Sequence, residues 1–265
     1  MIPAEKRTGA RRMADIPPET RHAINHGQIA TVNLVEFLST DLQQLAPAVA
    51  AQIGLDPQHP VLSAAVDALP SLKPMQRHTA IARALWQSGS NAPEVNRQLS
   101  SHVSDLARQW AAMQIALDET LSLTQRLEKA RPFAADSHFR VREFAWMSVR
   151  YPVAAELEWA LEILQAWVKE EDANLRRFAS ELTRPRGVWC LHLESLKANP
   201  ESGLSLLEPL RADPSKYVQD SVANWLNDAA KSRPDWTRSV CARWLIESDC
   251  KATRRICLRG QRSLD

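Results

Sequence analysis

At 265 residues, with 45% hydrophobic and 24% charged side chains, the chain is long enough for one large domain or two small ones around a sizeable core. A formal net charge of +2 is too mild to argue nucleic-acid binding by itself, so any such role rests on where the charges sit. Seven Gly, two Tyr and five Phe against abundant Ala, Leu, Arg and Glu favour helix and leave little for a β-sandwich core, while nine Trp can serve as core bulk or stacking platforms. No apolar run approaches the about 20 residues of a membrane span, and none follows the basic N-terminus as in a signal peptide. Cys190, Cys241, Cys250 and Cys257 follow no zinc spacing. The expectation is a cytoplasmic chain with reduced thiols, no metal and no membrane partner.

Residues 1–15 are polar and basic (Lys6, Arg7, Arg11, Arg12) without periodicity and are expected to be a disordered tail. Residues 16–135 read as N-terminal helices. Pro17-Pro18-Glu19 starts the first, which runs to a glycine cap at Gly27. Thr31-Val32-Asn33 caps the next, Asp41 caps its continuation to Ile53, and Gly54 ends it. Helices over Pro60–Leu69, Pro74–Gln87, Val95–Met113 and Asp118–Lys129 follow, with a loop at Ser88–Asn91.

The pattern changes at Asp136. Four segments open on Asp and carry a basic or polar residue ahead of an apolar pair: Asp136–Ala145, Asp172–Ala179, Asp213–Ala223 and Asp249–Cys257. Second amphipathic helices lie between them at Leu157–Val168, at Val188–Leu196 with Leu204–Leu210, and at Trp236–Ile246. An interval of roughly 35–45 residues is the period of HEAT-type helical hairpins. Residues 16–265 are therefore expected to form one all-α domain, a curved HEAT-like α-α superhelix, with 136–265 carrying the repeats and a polar concave face.

Four places could carry chemistry. Arg177, Glu181 and Arg184 fall on one helix face, and Pro185 stops that helix, leaving a carboxylate ringed by guanidinium groups with Arg186 just beyond. In Val218–Lys231, Asp220, Asn224, Asn227 or Asp228, and Lys231 form a polar stripe beside an apolar one. Glu143 is flanked by Arg142 and by aromatics. Arg255, Arg259 and Arg262 share a face of the last helix, suited to a phosphate backbone. Each also has a plain structural reading: a solvated ion pair, a tie to the neighbouring repeat, or a capping face.

Glu143-Phe144-Ala145, then Ser180-Glu181 with Thr183-Arg184-Pro185-Arg186 and Trp189, then Ser221-Val222-Ala223-Asn224 with Asn227-Asp228 and Lys231, resemble the AlkC branch of the AlkC/AlkD-type DNA alkylation-repair glycosylases. The specific likeness covers roughly Asp136 to the C-terminus, including the basic Arg254–Gly260 segment. Met147 and Ser148 stand where the family has Arg-Pro, and Trp225 where a His or small polar residue is common.

The resemblance implies a helical-repeat protein that wraps duplex DNA and removes cationic alkylated bases such as 3-methyladenine by cleaving the N-glycosidic bond. It implies Asp228, Glu181 and Glu143 as the acids, with Asp228 next to the sugar and water. Trp189 would be the aromatic at the lesion. Arg177, Arg184, Arg186, Asn224, Lys231, Arg255 and Arg259 would grip DNA or support the acids. A monomer is expected, and the chemistry needs no cofactor. The alternative is a non-catalytic HEAT-repeat module that binds DNA or protein.

Overall fold

The structure, a computed structural model, describes residues 7–187 and 190–264. These residues form α-helices and short 3-10 turns, with no β-strand among them. The chain divides into two compact units, Met1–Glu119 with Ser137–Ala145, and Thr120–Asp136 with Trp146–Asp265.

In the first unit lie α1 (Pro18–Asn25), α2 (Leu34–Ser39), α3 (Leu42–Gln52), α4 (Pro60–Ala68), α5 (Pro74–Ser88), α6 (Ala92–Ser100) and α7 (Asp105–Gln114). The caps are those the local chemistry dictates. Asn33 and Asp41 accept backbone N–H groups at the starts of α2 and α3, and Gly27 and Gly54 take φ of 66° and 77° at helix ends. Two expectations are corrected. Val95–Met113 is two helices, because the chain turns at Ser101–Ser104 between α6 and α7. The expected tail makes contacts from Arg7 onward, where the guanidinium pairs with Glu36 at 3.1 Å and donates to Ala30 O.

The core of this unit fixes the start of α9 (Phe139–Ser148). His78 stacks on Phe37 and meets Phe144 edge-on, and Trp110 Nε1 donates to His78 Nδ1 at 3.3 Å. Burial, reinforced by the charges of Arg140 and Arg77, pushes His78 down to about 3, so it serves as a neutral acceptor. Arg140 lies between the rings of Phe37 and Phe144, 4.2 and 5.1 Å from their centroids.

The second unit comprises α8 (Leu123–Ala134), α10 (Arg150–Ala155), α11 (Leu157–Trp167), α12 (Ala173–Leu182), α13 (Glu194–Ala198), α14 (Leu204–Leu207), α15 (Lys216–Ala230), α16 (Pro234–Glu247) and α17 (Lys251–Gly260). The start expected at Asp118 shifts to Ser122, whose hydroxyl and Gln125 form a capping box. The helix expected over Val188–Leu196 is replaced by the short α13, with Val188 itself outside the described residues.

Helix α15 is the centre of this unit, flanked by α12 on one side and α17 on the other. Its apolar stripe Val218, Val222, Trp225 and Ala229 is fully buried. The recurring Asp and basic positions are partly braces between repeats: Arg176 on α12 grips Asp213, just before α15, through Nε at 2.6 Å and Nη2 at 3.1 Å. Asp213 in turn accepts the N–H of Ser215.

Close approach of α15 and α17 needs a missing side chain. A Cβ on Gly260 would stand 2.9 Å from Leu226 Cβ. Gly260→Ala is thus expected to destabilise the protein by about 1–3 kcal/mol, despite alanine's better helix propensity, read as a lower urea midpoint at unchanged slope.

Candidate active site on helices α12 and α15

Helix α12 ends at Leu182 with Thr183 as its cap, because Pro185 bars the preceding residue from continuing the helix. Glu181 is 5% exposed and both its oxygens are filled. Oε1 accepts Arg184 Nη1 at 2.6 Å, and Oε2 accepts Ser221 Oγ at 2.7 Å and lies 3.4 Å from Arg177 Nη2. Ser180 Oγ, 2.8 Å from Ser221 Oγ, extends the chain of hydroxyls. Arg177 is itself buried and its guanidinium lies 4.7 Å from the Tyr217 ring centroid.

Arg184 is shared. Its Nε donates to Asp228 Oδ2 at 2.9 Å while its Nη1 holds Glu181. Asp228 is 4% exposed, and its other oxygen, Oδ1, has Lys231 Nζ at 3.8 Å, beyond hydrogen-bond distance. Arg186 reaches the end of α15, donating to Asp228 O at 3.2 Å and Ser232 Oγ at 2.6 Å.

One guanidinium therefore bridges two buried carboxylates whose surroundings differ. Burial raises both. At Glu181 the charges of Arg177 and Arg184 and the Ser221 hydroxyl outweigh it, holding the group below the usual carboxylate range. At Asp228 burial prevails over Arg184 and Lys231, and the group sits above its ordinary value. Such separation is how acid–base roles are divided between neighbouring carboxylates.

Further along α15 the same face meets α17. Arg255 and Arg259 both reach Asp220 Oδ1, at 2.6 and 3.2 Å, and Arg262 donates to Asn224 Oδ1 at 2.9 Å. The structure thus brings Arg177, Glu181, Arg184, Arg186, Asp228 and Lys231 into one cluster, with Asn224 one turn before Asp228 on α15 and Asp220, which Arg255 and Arg259 of α17 reach, one turn earlier still. Glu143 is half-buried on α9 and belongs to the first unit. Trp189 lies outside the described residues.

Arg177, Arg184 and Arg186 were expected to grip DNA or to support the acids. Arg177 and Arg184 turn onto Glu181 and Asp228, buried carboxylates that compete strongly for fork-shaped donors, while Arg186 turns onto a main-chain carbonyl and Ser232 at the end of α15.

No family model matches the chain. Over 126 residues it is 35% identical to the uncharacterized protein YhaZ of Bacillus subtilis (strain 168), a match covering 48% of this chain and 34% of that one. Among solved structures it is similar to the alkylpurine DNA glycosylase AlkC of Pseudomonas fluorescens bound to DNA containing an abasic-site analogue. That likeness covers 97% of this chain and 65% of the AlkC chain at 24% identity, with a TM-score of 0.69. The fold is that of AlkC. A structure of smu.31 from Streptococcus mutans UA159 is also similar, at 20% identity and a TM-score of 0.50 over 85% of this chain and all of that one. This chain thus spans less than two thirds of the AlkC chain, and its match to YhaZ about a third of that protein.

On this AlkC fold, two residues that touch the cluster escape a motif search. Ser221 opens the Ser-Val-Ala-Asn motif but gives no sign that its hydroxyl serves Glu181. Arg150 sits in α10, fully buried, and donates to the backbone carbonyls of Leu182, Arg184 and Leu191. The Trp225 ring fills the space over Gly203, where a Cβ would stand 2.5 Å from it, and its Nε1 donates to Thr183 Oγ1.

Proposed function

We propose that this chain is a DNA glycosylase that removes cationic alkylated purines, of the 3-methyladenine type, from duplex DNA, acting as a monomer in the cytoplasm. The observation that carries the reading is the pair of buried carboxylates bridged by Arg184, one held ionised and the other pushed upward. The AlkC fold supports it.

The chemistry suits such a pair. An N3-alkylated adenine is already positively charged, so its bond to the sugar is weak and no acid need protonate it. As the C1′–N9 bond breaks, the bonding electrons leave with the base and neutralise it. Positive charge then develops on the sugar. Ionised Asp228 stabilises that charge, and its Oδ1 takes a proton from the water that forms the new C1′–O bond. Glu181 holds Asp228 in place through Arg184, while Arg177 keeps Glu181 ionised. Trp189 meets the lesion, as the family resemblance implies. Arg186, Asn224, Lys231, Arg255 and Arg259 line the approach of the phosphate backbone. No step calls for a cofactor.

Incubation with methylated duplex DNA, followed by chromatography of the released bases, is expected to yield 3-methyladenine at a rate proportional to protein. Duplex binding without release would instead leave a non-catalytic DNA-binding repeat protein. Neither binding nor release would sink both readings.

A further inference from the structure

We infer that Arg150 is a positioning residue for this site: by clamping the corner after α12 it sets Arg184 so that one guanidinium spans Glu181 and Asp228. The inference rests on the glycosylase reading. Arg150 has no exposed surface. Its Nε donates to Leu191 O at 3.0 Å, its Nη2 to Arg184 O at 2.5 Å, and its Nη1 to Leu182 O. All three acceptors are main-chain carbonyls, drawn from the last turn of α12 and from both limbs of the corner.

A buried guanidinium is a costly way to fill a core, and an aliphatic side chain would pack there at less desolvation penalty. Among the described residues no carboxylate hydrogen-bonds or ion-pairs with it, so a buried salt bridge does not account for its presence. What it supplies is a rigid three-pronged donor. It satisfies a carbonyl left over at the C-terminal end of α12, where a cation is also favoured by the helix dipole. It holds Arg184 by its main-chain carbonyl, and the side chain of that same residue meets both carboxylates.

The corner is built closely around it. Leu193 N donates to Pro185 O, closing the loop's base. A Cβ on Gly187 would stand 2.0 Å from Cys190 Sγ and 3.4 Å from Arg150 Nη2. Burial, and the like charge of Arg184, push Arg150 down to about 10 against the opposing pull of Cys190, Glu181 and Asp228; it is still charged at neutral pH. Its charge therefore acts in the same electrostatic neighbourhood as the two acids.

The test compares wild type with Arg150→Lys, which keeps the charge but cannot span three carbonyls. Cooperative melting and circular dichroism establish that the variant is folded. Its affinity for duplex DNA is expected to stay within about threefold of wild type, while single-turnover base release falls about tenfold or more. The acid limb of the rate profile is expected to move to higher pH, because a displaced Arg184 neutralises Asp228 less. A purely structural role would lower the melting temperature without moving that limb. A folded Arg150→Lys with an unchanged rate and limb overturns the inference.

Should Arg150→Lys fail to fold, Gly187→Ala disturbs the same corner with Arg150 in place. It is expected to move the same limb, and adding Cys190→Ala to restore it. An unmoved limb in folded Gly187→Ala overturns the inference equally. Wild type that releases no base fails the glycosylase reading instead. The clamp is then read from the carboxyl titration of Asp228 by NMR, where equal titration in wild type and Arg150→Lys overturns it.

Discussion

Asp228→Asn is expected to slow single-turnover base release from methylated duplex DNA by about 100- to 1,000-fold, with duplex affinity held within a few-fold. The substitution removes a charge and little else. Asparagine is nearly isosteric, its carbonyl can still accept from Arg184 Nε, and Arg184 keeps Glu181. What disappears is the anion that would face the developing sugar cation and the oxygen that would accept the water's proton. The pH dependence carries a sign. Asp228 works as the carboxylate, and burial lifts its pKa above the ordinary Asp value, so wild-type activity is present at neutral pH and lost as pH falls through that raised value. The residual rate of Asp228→Asn should lack this acid limb. A variant with the wild-type rate would remove Asp228 from the mechanism.

The parts of this site legible in the sequence are those fixed by local geometry. Residues four apart on a helix share a face, so Arg177 and Glu181 could be placed together without a structure. Pro185 marked the helix end for the same kind of reason, as did Asn33, Asp41, Gly27 and Gly54 for theirs. The apolar stripe of α15 gave its orientation, and the repeating interval gave the class of fold. Direction was not legible. Arginine has a long reach, and whether Arg184 turns outward to a phosphate or inward to Asp228 is decided by the contact between α12 and α15. Arg150 was less legible still, since its partners are backbone carbonyls, which every residue possesses. The break between α6 and α7 was hidden because apolar residues continue on both sides of Ser101–Ser104 with helical spacing. The repeated Asp and basic positions were read as a binding face, yet Arg176 and Asp213 show that two such residues can serve to join one repeat to the next.

Arg184→Met is expected to destabilise the protein by about 3–5 kcal/mol, the range found when one partner of a buried ion pair is removed. Two carboxylates depend on this guanidinium. Without it Glu181 retains Arg177 and Ser221, but Asp228 keeps only Lys231 at 3.8 Å and would face its neighbour's charge with little compensation. The penalty is then the uncompensated charge and not the lost attraction, which makes it separable by a further change. Asp228→Asn on the Arg184→Met background should recover a large part of the loss, so the two substitutions are strongly non-additive in urea unfolding. Acid gives an independent reading. In wild type the depressed pKa of Glu181 contributes stability above the unfolded value, and that contribution fades as pH falls through the folded one. In Arg184→Met the carboxylates lack the bridging cation, bind protons more readily in the folded state, and shed their penalty as pH falls. The two stability curves should therefore converge toward acid. Parallel curves would mean that Arg184 acts by packing alone, and that the bridge between Glu181 and Asp228 has no energetic content.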